Sequence, residues 1–143
     1  MIHVINSLLD PYIKLIQDDP VRPEIPVEFR ISNNNEVFVL LDKEEPQAVV
    51  CVTYKDYIPS DQEQLLPVSE LPTTAVFYTI WSYKPGAGRR LIGQAKRHIE
   101  ENKSSITTFV TLSPRTEMAR KFHLTNGASI FRENETSVNY EYH

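Results

Sequence analysis

The sequence predicts an α/β protein built on a sheet of mixed, mostly antiparallel strand direction, flanked by helices. Three observations carry that expectation. Short β-branched runs, EVFVLLD, AVVCVTY and ITTFVTL, are bounded by turn residues. Two longer runs, GRRLIGQAKRHIEEN and SPRTEMARKFHLTNG, space their apolar residues at the helical period. Their order, an initial meander and then strand, helix, strand, helix, hairpin, implies a sheet that mixes both directions.

The elements follow in turn. IHVI reads as a first strand, and SLLDPYIKLIQDD as a helix with Leu8, Leu9, Tyr12, Ile13 and Ile16 on one face, capped by Ser7. DDPVRPEIP is too proline-rich for a continuous element and reads as a loop with one helical turn. EVFVLLD and QAVVCVTYKDYI make an antiparallel hairpin across KEEP, and PSDQEQLLPVSELP is a surface excursion. TAVFYTIW is the next strand. The helix after it buries Leu91, Ile92, Ala95 and Ile99. ITTFVTL leads to a second helix with Ser113 as cap, Pro114 at its first position and Asn-Gly as its stop. SIFRENETSVNYEY closes the chain as a hairpin turning near Glu133–Glu135.

The 143 residues suffice for one domain with a real core, spanning 1–143. A net charge of −4 argues against general attraction to nucleic acid or an anionic membrane. The one cysteine, Cys51, rules out an intrachain disulfide and a cysteine-rich zinc site, and its apolar surroundings predict a buried structural thiol. His3, His98 and His143 show no metal-ligand spacing, so no metal is assigned. The start MIHVINSLLD lacks a basic leader and no run reaches membrane-spanning length, which makes a cytoplasmic address the expectation.

The stretch YKPGAGRRL, Tyr83 to Leu91, holds two of the four glycines. A strand passing through such a turn into a helix collects free backbone N–H groups and the positive end of the helix dipole, which favours phosphate. The plain alternative is a tight packing turn. A Walker loop needs Lys and then Ser or Thr after its last glycine, whereas Gly88 is followed by Arg89 and Arg90. A dinucleotide fingerprint needs a third glycine where Leu91 stands.

This stretch resembles the coenzyme A loop of the GNAT superfamily of N-acetyltransferases, with Gly86, Gly88 and Leu91 in register and Tyr83 where Gln or Arg is usual. A second match lies in the later helix, where Ala119, Phe122 and Gly127 align with the family's Asn-x-x-Ala-x-x-Phe-Tyr-x-x-x-Gly-Phe pattern. The resemblance spans Thr73 to Ala128. It implies a V-shaped splay between two central strands, with the pantetheine arm of an acyl-CoA in the gap. The arm would then bond the strand end at Ile80, Trp81 and Ser82. The diphosphate would lie on Lys84, Pro85, Gly86, Ala87, Gly88 and Arg89, with Arg90 reaching the ribose phosphate or facing water.

The same resemblance puts His123 where the family has a tyrosine that protonates the leaving thiolate, and Thr116 where an asparagine bonds the arm. Helical spacing sets Thr116, Arg120 and His123 on one stripe and Met118 and Phe122 on another, the expected core face. An imidazole facing the gap can give a proton to sulfur or orient a thioester carbonyl; otherwise His123 only packs. Tyr78 is a candidate catalytic or cleft-wall aromatic. TAVFYTIW has no carboxylate to act as base, and Asp56, Glu63 and Glu70 read as solvated charges or distant bases. TLSP, ending at Ser113 and Pro114, resembles a strand-to-helix junction of malonyl-CoA decarboxylases, which share the fold and use serine and histidine.

The implied function is transfer of an acyl group, acetyl in the simplest case, from acyl-CoA to a small-molecule or peptide amine by a monomer or homodimer. Two alternatives stay open: a CoA-thioester decarboxylase or hydrolase, and a degenerate fold that binds CoA or a partner without turnover.

Overall fold

A computed structural model describes residues 1–143. The strands are β1 (Ile2–Ile5), β2 (Asn35–Asp42), β3 (Glu45–Lys55), β4 (Thr74–Ser82), β5 (Thr108–Thr111), β6 (Ser113–Pro114), β7 (Ser129–Glu133) and β8 (Ser137–Tyr142). The helices are α1 (Val27–Arg30), α2 (Ala87–Asn102) and α3 (Glu117–Thr125). Strand order is β1-β2-β3-β4-β5-β8-β6, with β7 paired to β8. Only β4 and β5 run parallel; every other pairing is antiparallel. The mixed, mostly antiparallel sheet read from the sequence is therefore the sheet that forms.

Two apolar layers sandwich it. Leu91, Ile92, Ala95 and Ile99 of α2 press on Phe38, Val50 and Phe77, as the helical spacing predicts. Each of these α2 side chains is at most 3% exposed, and full burial of a Leu or Ile contributes about 1.5–3 kcal/mol. The other face buries Val37, Val39, Val49, Cys51, Val76 and Val110 beneath the first 31 residues. Cys51 is the expected buried thiol, and burial pushes its pKa up to about 11.

That covering segment departs from its reading. SLLDPYIKLIQDD forms no α-helix, only a 3-10 helix over Ile13–Asp18. Pro11 and Pro20 bracket too few residues, and the residue before a proline is pushed out of helical geometry; Asp19 has ψ 115°. Ser7 and Asp10 instead make local turns, accepting the N–H groups of Leu9 and Tyr12. The single helical turn foreseen in the proline-rich loop falls just after it, as α1. The hairpin turn is Lys43–Glu44, both at positive φ (51° and 69°), one residue earlier than the KEEP stretch suggests.

The start of α3 also differs. Ser113 and Pro114 do not open the helix. They form β6 against Val138 and Ser137 of β8, so the cap shifts to Thr116, whose Oγ1 accepts from the Ala119 N–H at 3.2 Å. A long-range rung satisfies these groups in place of a local helix start. No helix is long and apolar enough to cross a membrane.

Candidate functional site

The site begins with one residue out of step. Along β3, Val52 faces Phe77 and Cys51 faces Thr79, so Tyr78 is a bulge with no partner. β4 and β5 pair only from Thr74↔Thr108 to Phe77↔Thr111, with a last bond from Leu112 N–H to the Phe77 carbonyl at 3.0 Å. Beyond the bulge β4 runs on to Ser82, while the other strand turns toward β8. Between them lies the V-shaped opening that the resemblance implies. The groups of β4 that face away from β3 have no strand to bond there.

At the fork two carbonyls are taken by one side chain. Arg22 donates from Nε to the Tyr78 carbonyl (3.0 Å) and from a terminal nitrogen to that of Leu112 (2.9 Å). Its other terminal nitrogen donates to Gln62 Oε1 at 3.0 Å. The loop that carries Arg22 is shaped by Asp19. One Asp19 oxygen accepts the N–H groups of Val21 and Arg22, and the other accepts from buried Arg30 at 2.5 Å.

A cavity of about 530 Å³ opens along the fork. Pro20 and Val21 wall one side; Tyr78 to Ser82 form the floor; Ser113, Phe122 and His123 stand opposite. No Asp, Glu, Lys or Arg lines it. Tyr78 Oη and Thr79 Oγ1, on two lining residues, are buried without a hydrogen-bond partner. The Tyr78 hydroxyl lies beside Cys51 in the layer beneath the N-terminal segment, so of the two only Thr79 leaves an open group near the fork.

On the far wall Ser113 Oγ and His123 Nε2 lie 3.2 Å apart, Ser113 donates to Thr111 Oγ1 at 2.7 Å, and His123 Nδ1 is 2.7 Å from Tyr142 Oη. Tyr140 stacks on the imidazole at 4.9 Å. Burial pulls His123 down to about 4, so the ring is neutral near pH 7, and burial raises the Tyr142 phenol, which stays protonated. These bonds share one direction. With the Ser113 proton on Thr111, Nε2 carries hydrogen and donates to Ser113, and Nδ1 accepts from Tyr142. The imidazole thus holds its N–H at the cavity wall, where Ser113 Oγ accepts it.

The glycine turn closes the other end. Gly86 has φ 76° and caps α2; Ala87 N–H bonds the Lys84 carbonyl and Arg90 N–H that of Gly86. The N–H groups of Gly88 and Arg89 take no backbone acceptor. A Cβ on Gly88 would sit 2.8 Å from Ser82 Oγ and 3.3 Å from the Phe122 ring, so this glycine lets β4, α2 and α3 meet. Arg89 and Arg90 are exposed, while Lys84 pairs with Glu45 at 3.3 Å. Tyr83 donates to Asp18 at 2.6 Å and accepts from Trp81 Nε1 at 3.0 Å, so it ties the strand end to the N-terminal segment.

The fold brings Tyr78, Ile80, Trp81, Ser82, Ser113, Thr116 and His123 to one cavity, with Lys84 to Arg90 at the turn beyond Ser82. Three expectations change. Met118 is 84% exposed and is not a core residue; His123 lines the cavity as its stripe foretold, yet is only 4% exposed because Tyr140 and Tyr142 pack on its ring. Ser113 serves no cap and stands on the imidazole. Thr116 is the cap, which commits its oxygen to Ala119. Asp56, Glu63 and Glu70 stay outside the cavity. Sequence reasoning missed Tyr142, Thr111 and Arg22. The period-2 spacing of Tyr140 and Tyr142 put both on one face of β8, a usable signal, but nothing local marked Arg22.

No family model matches the sequence, and no curated protein matches it. Solved structures do resemble it. Malonyl-CoA decarboxylase from Rhodopseudomonas palustris matches at TM-score 0.76 and 19% identity, over 99% of this chain and 59% of that one. The Agrobacterium vitis malonyl-CoA decarboxylase matches at 0.71 and 24%, over 85% of this chain and 35% of its own. Tetrahymena GCN5 matches at 0.64 and 13%, over 99% and 94%. The fold is thus that of the GNAT acyl-CoA N-acyltransferases, which these decarboxylases share. The chain spans about a third to three fifths of the decarboxylases' length.

Proposed function

We propose that this protein acts on an acyl-CoA thioester and removes carbon dioxide from an acyl group that carries a carboxylate on its α-carbon, malonyl-CoA being the simplest substrate. The observation that carries the reading is the Ser113–His123 pair, 3.2 Å apart on a wall without any carboxylate.

Decarboxylation breaks the bond between the α-carbon and the carboxylate. Carbon dioxide leaves, and the electron pair passes into the thioester carbonyl to give an enolate, which then takes a proton at carbon. Such a reaction needs donors at the developing oxyanion and no strong base. Nε2–H of His123 and the Ser113 hydroxyl become donors of that kind when the thioester oxygen replaces Ser113 Oγ and Thr111 Oγ1 as their acceptors. Tyr142, through Nδ1, holds the ring in the donating tautomer, and Ser113 relays a proton from water at the mouth to the enolate carbon. Amine acylation asks instead for a base that strips an ammonium. A neutral imidazole with a pKa of about 4 and a cavity without Asp or Glu serve that poorly.

The cofactor half of the substrate follows from the fork. The Gly88 and Arg89 amides, with the run from Lys84 to Arg89 around them, receive the diphosphate. Arg90 adds charge for the ribose phosphate. The free edge at Ile80, Trp81 and Ser82 bonds the pantetheine arm as a short extra strand. Tyr78 walls the acyl end. The Thr116 hydroxyl keeps its own proton to donate.

Acyl transfer to a small-molecule or peptide amine is the second reading, supported by the fold shared with Tetrahymena GCN5. One experiment separates the two. Malonyl-CoA alone should yield acetyl-CoA and carbon dioxide by mass spectrometry. Thiol release from acetyl-CoA that appears only with an amine, and no carbon dioxide from malonyl-CoA, overturns the decarboxylase in favour of transfer.

A further inference from the structure

Arg22 is 8% exposed, yet no carboxylate lies within salt-bridge reach of it. The nearby buried carboxylate, Asp19, is spent: one oxygen pairs with Arg30 and the other accepts two backbone N–H groups. Glu24, fully exposed, touches only Gln62, at 2.7 Å. Two buried guanidiniums therefore face one buried carboxylate, and the cation left over belongs to Arg22. A buried charge without a paired counterion is costly, and burial lowers the Arg22 pKa although Asp19 and Glu24, neither within salt-bridge reach, pull it the other way.

Its position gives that surplus a use. The acceptors of Arg22, the carbonyls of Tyr78 and Leu112, belong to two cavity-lining residues at the closed end of the fork, and Val21 and Pro20 beside it line the same cavity. Three of its five N–H groups are engaged and two remain. Arg22 is not itself on the cavity wall; it stands behind the Tyr78 and Leu112 carbonyls, and the walls carry no cation of their own.

We propose that Arg22 selects acyl groups that end in a carboxylate, supplying the positive charge for the acid at the closed end of the cleft. The inference deepens the decarboxylase reading and rests on its placement of the acyl chain. Because its fork is already used on two carbonyls, the guanidinium draws the acid in without gripping it bidentately. Full solvation of the carboxylate, which opposes loss of carbon dioxide, is thereby avoided.

The test is binding and not turnover. Two stable thioethers, S-(2-carboxyethyl)-CoA and S-propyl-CoA, differ chiefly in the acid and cannot react. By calorimetry the wild-type chain should prefer the acid by about tenfold or more, the scale of one hydrogen bond to a charged group. Arg22→Met should bring the ratio near one while S-propyl-CoA binds as before, and Arg22→Lys should keep part of the preference. Equal affinities in the wild type, or an unchanged ratio in both variants, overturns the proposal. Equal loss of both ligands in the two variants does so too, since Arg22 would then only brace the fork. If malonyl-CoA still loses carbon dioxide in any of these cases, the decarboxylase reading survives alone; no binding of either thioether together with no carbon dioxide ends both.

Discussion

Ser113 Oγ and His123 Nε2 meet at 3.2 Å although one lies on a two-residue strand and the other in the second turn of a helix. β8 makes the meeting possible: it pairs with Ser113 through Val138 and holds the imidazole through Tyr142. Under the proposed chemistry, His123→Ala removes the donor to the enolate. Turnover should fall about 10²–10³-fold while CoA affinity, set at the glycine turn, stays within twofold. Steady-state rates and calorimetry on the same preparation check this, and unchanged turnover would return His123 to packing.

Tyr142→Phe deletes the hydroxyl that fixes the ring's tautomer and leaves Nδ1 buried without a donor. We expect a loss of about 1–2 kcal/mol in stability and a turnover drop smaller than that of His123→Ala. Nitrogen NMR of labelled histidine reads the tautomer directly. Nδ1 should lose its hydrogen-bonded shift in the variant.

Burial of His123 has a pH signature. Its folded pKa, about 4, lies below the ordinary 6.5, so the unfolded chain binds more protons between those values. Stability is full above pH 6.5 and falls as pH drops through that window toward 4. Between pH 7 and 4.5 this group should account for about 2 kcal/mol. Urea unfolding at both values measures it, and His123→Gln should remove that share of the slope.

The Asp19–Arg30 pair is under 5% exposed at both ends and orders the loop that delivers Arg22. Asp19→Asn strands a buried guanidinium and should cost about 3–5 kcal/mol, whereas removing both charges with Arg30→Met should cost less. Chemical denaturation of the single and double variants tests the difference. A double variant no more stable than Asp19→Asn would contradict it.

The two glycines of the turn should respond differently. Gly86→Ala meets nothing within 4 Å but holds a positive φ, a strain of about 1 kcal/mol. Gly88→Ala pushes a methyl into Ser82 and the Phe122 ring, which should cost about 1–3 kcal/mol and weaken CoA binding as well. Thermal shift with and without CoA distinguishes strain from blockage.

How much of this was legible follows from the range of each signal. β2, β3 and α2 announce themselves locally, because Val39, Val49, Leu91 and Ile99 sit at the spacing their elements need. The glycine turn was equally readable. SPRTE carried every local mark of a helix start, yet Ser113 and Pro114 were taken by β8, more than twenty residues onward, and no local rule reports such a rung. The error moved the helix start by three residues; His123 still lines the cavity as its stripe foretold, whereas Met118, expected in the core, is exposed. Arg22 was invisible for the same reason: its acceptors lie 56 and 90 residues away.

Tyr78 is both the surplus residue of β4 and one of the largest side chains sealed in the layer beneath the N-terminal segment. Register and packing are therefore fastened to the same ring. Deleting it would bring Phe77 and Thr79 into phase only by opening a hole beside Phe29, so the irregularity is protected by the core that grew around it.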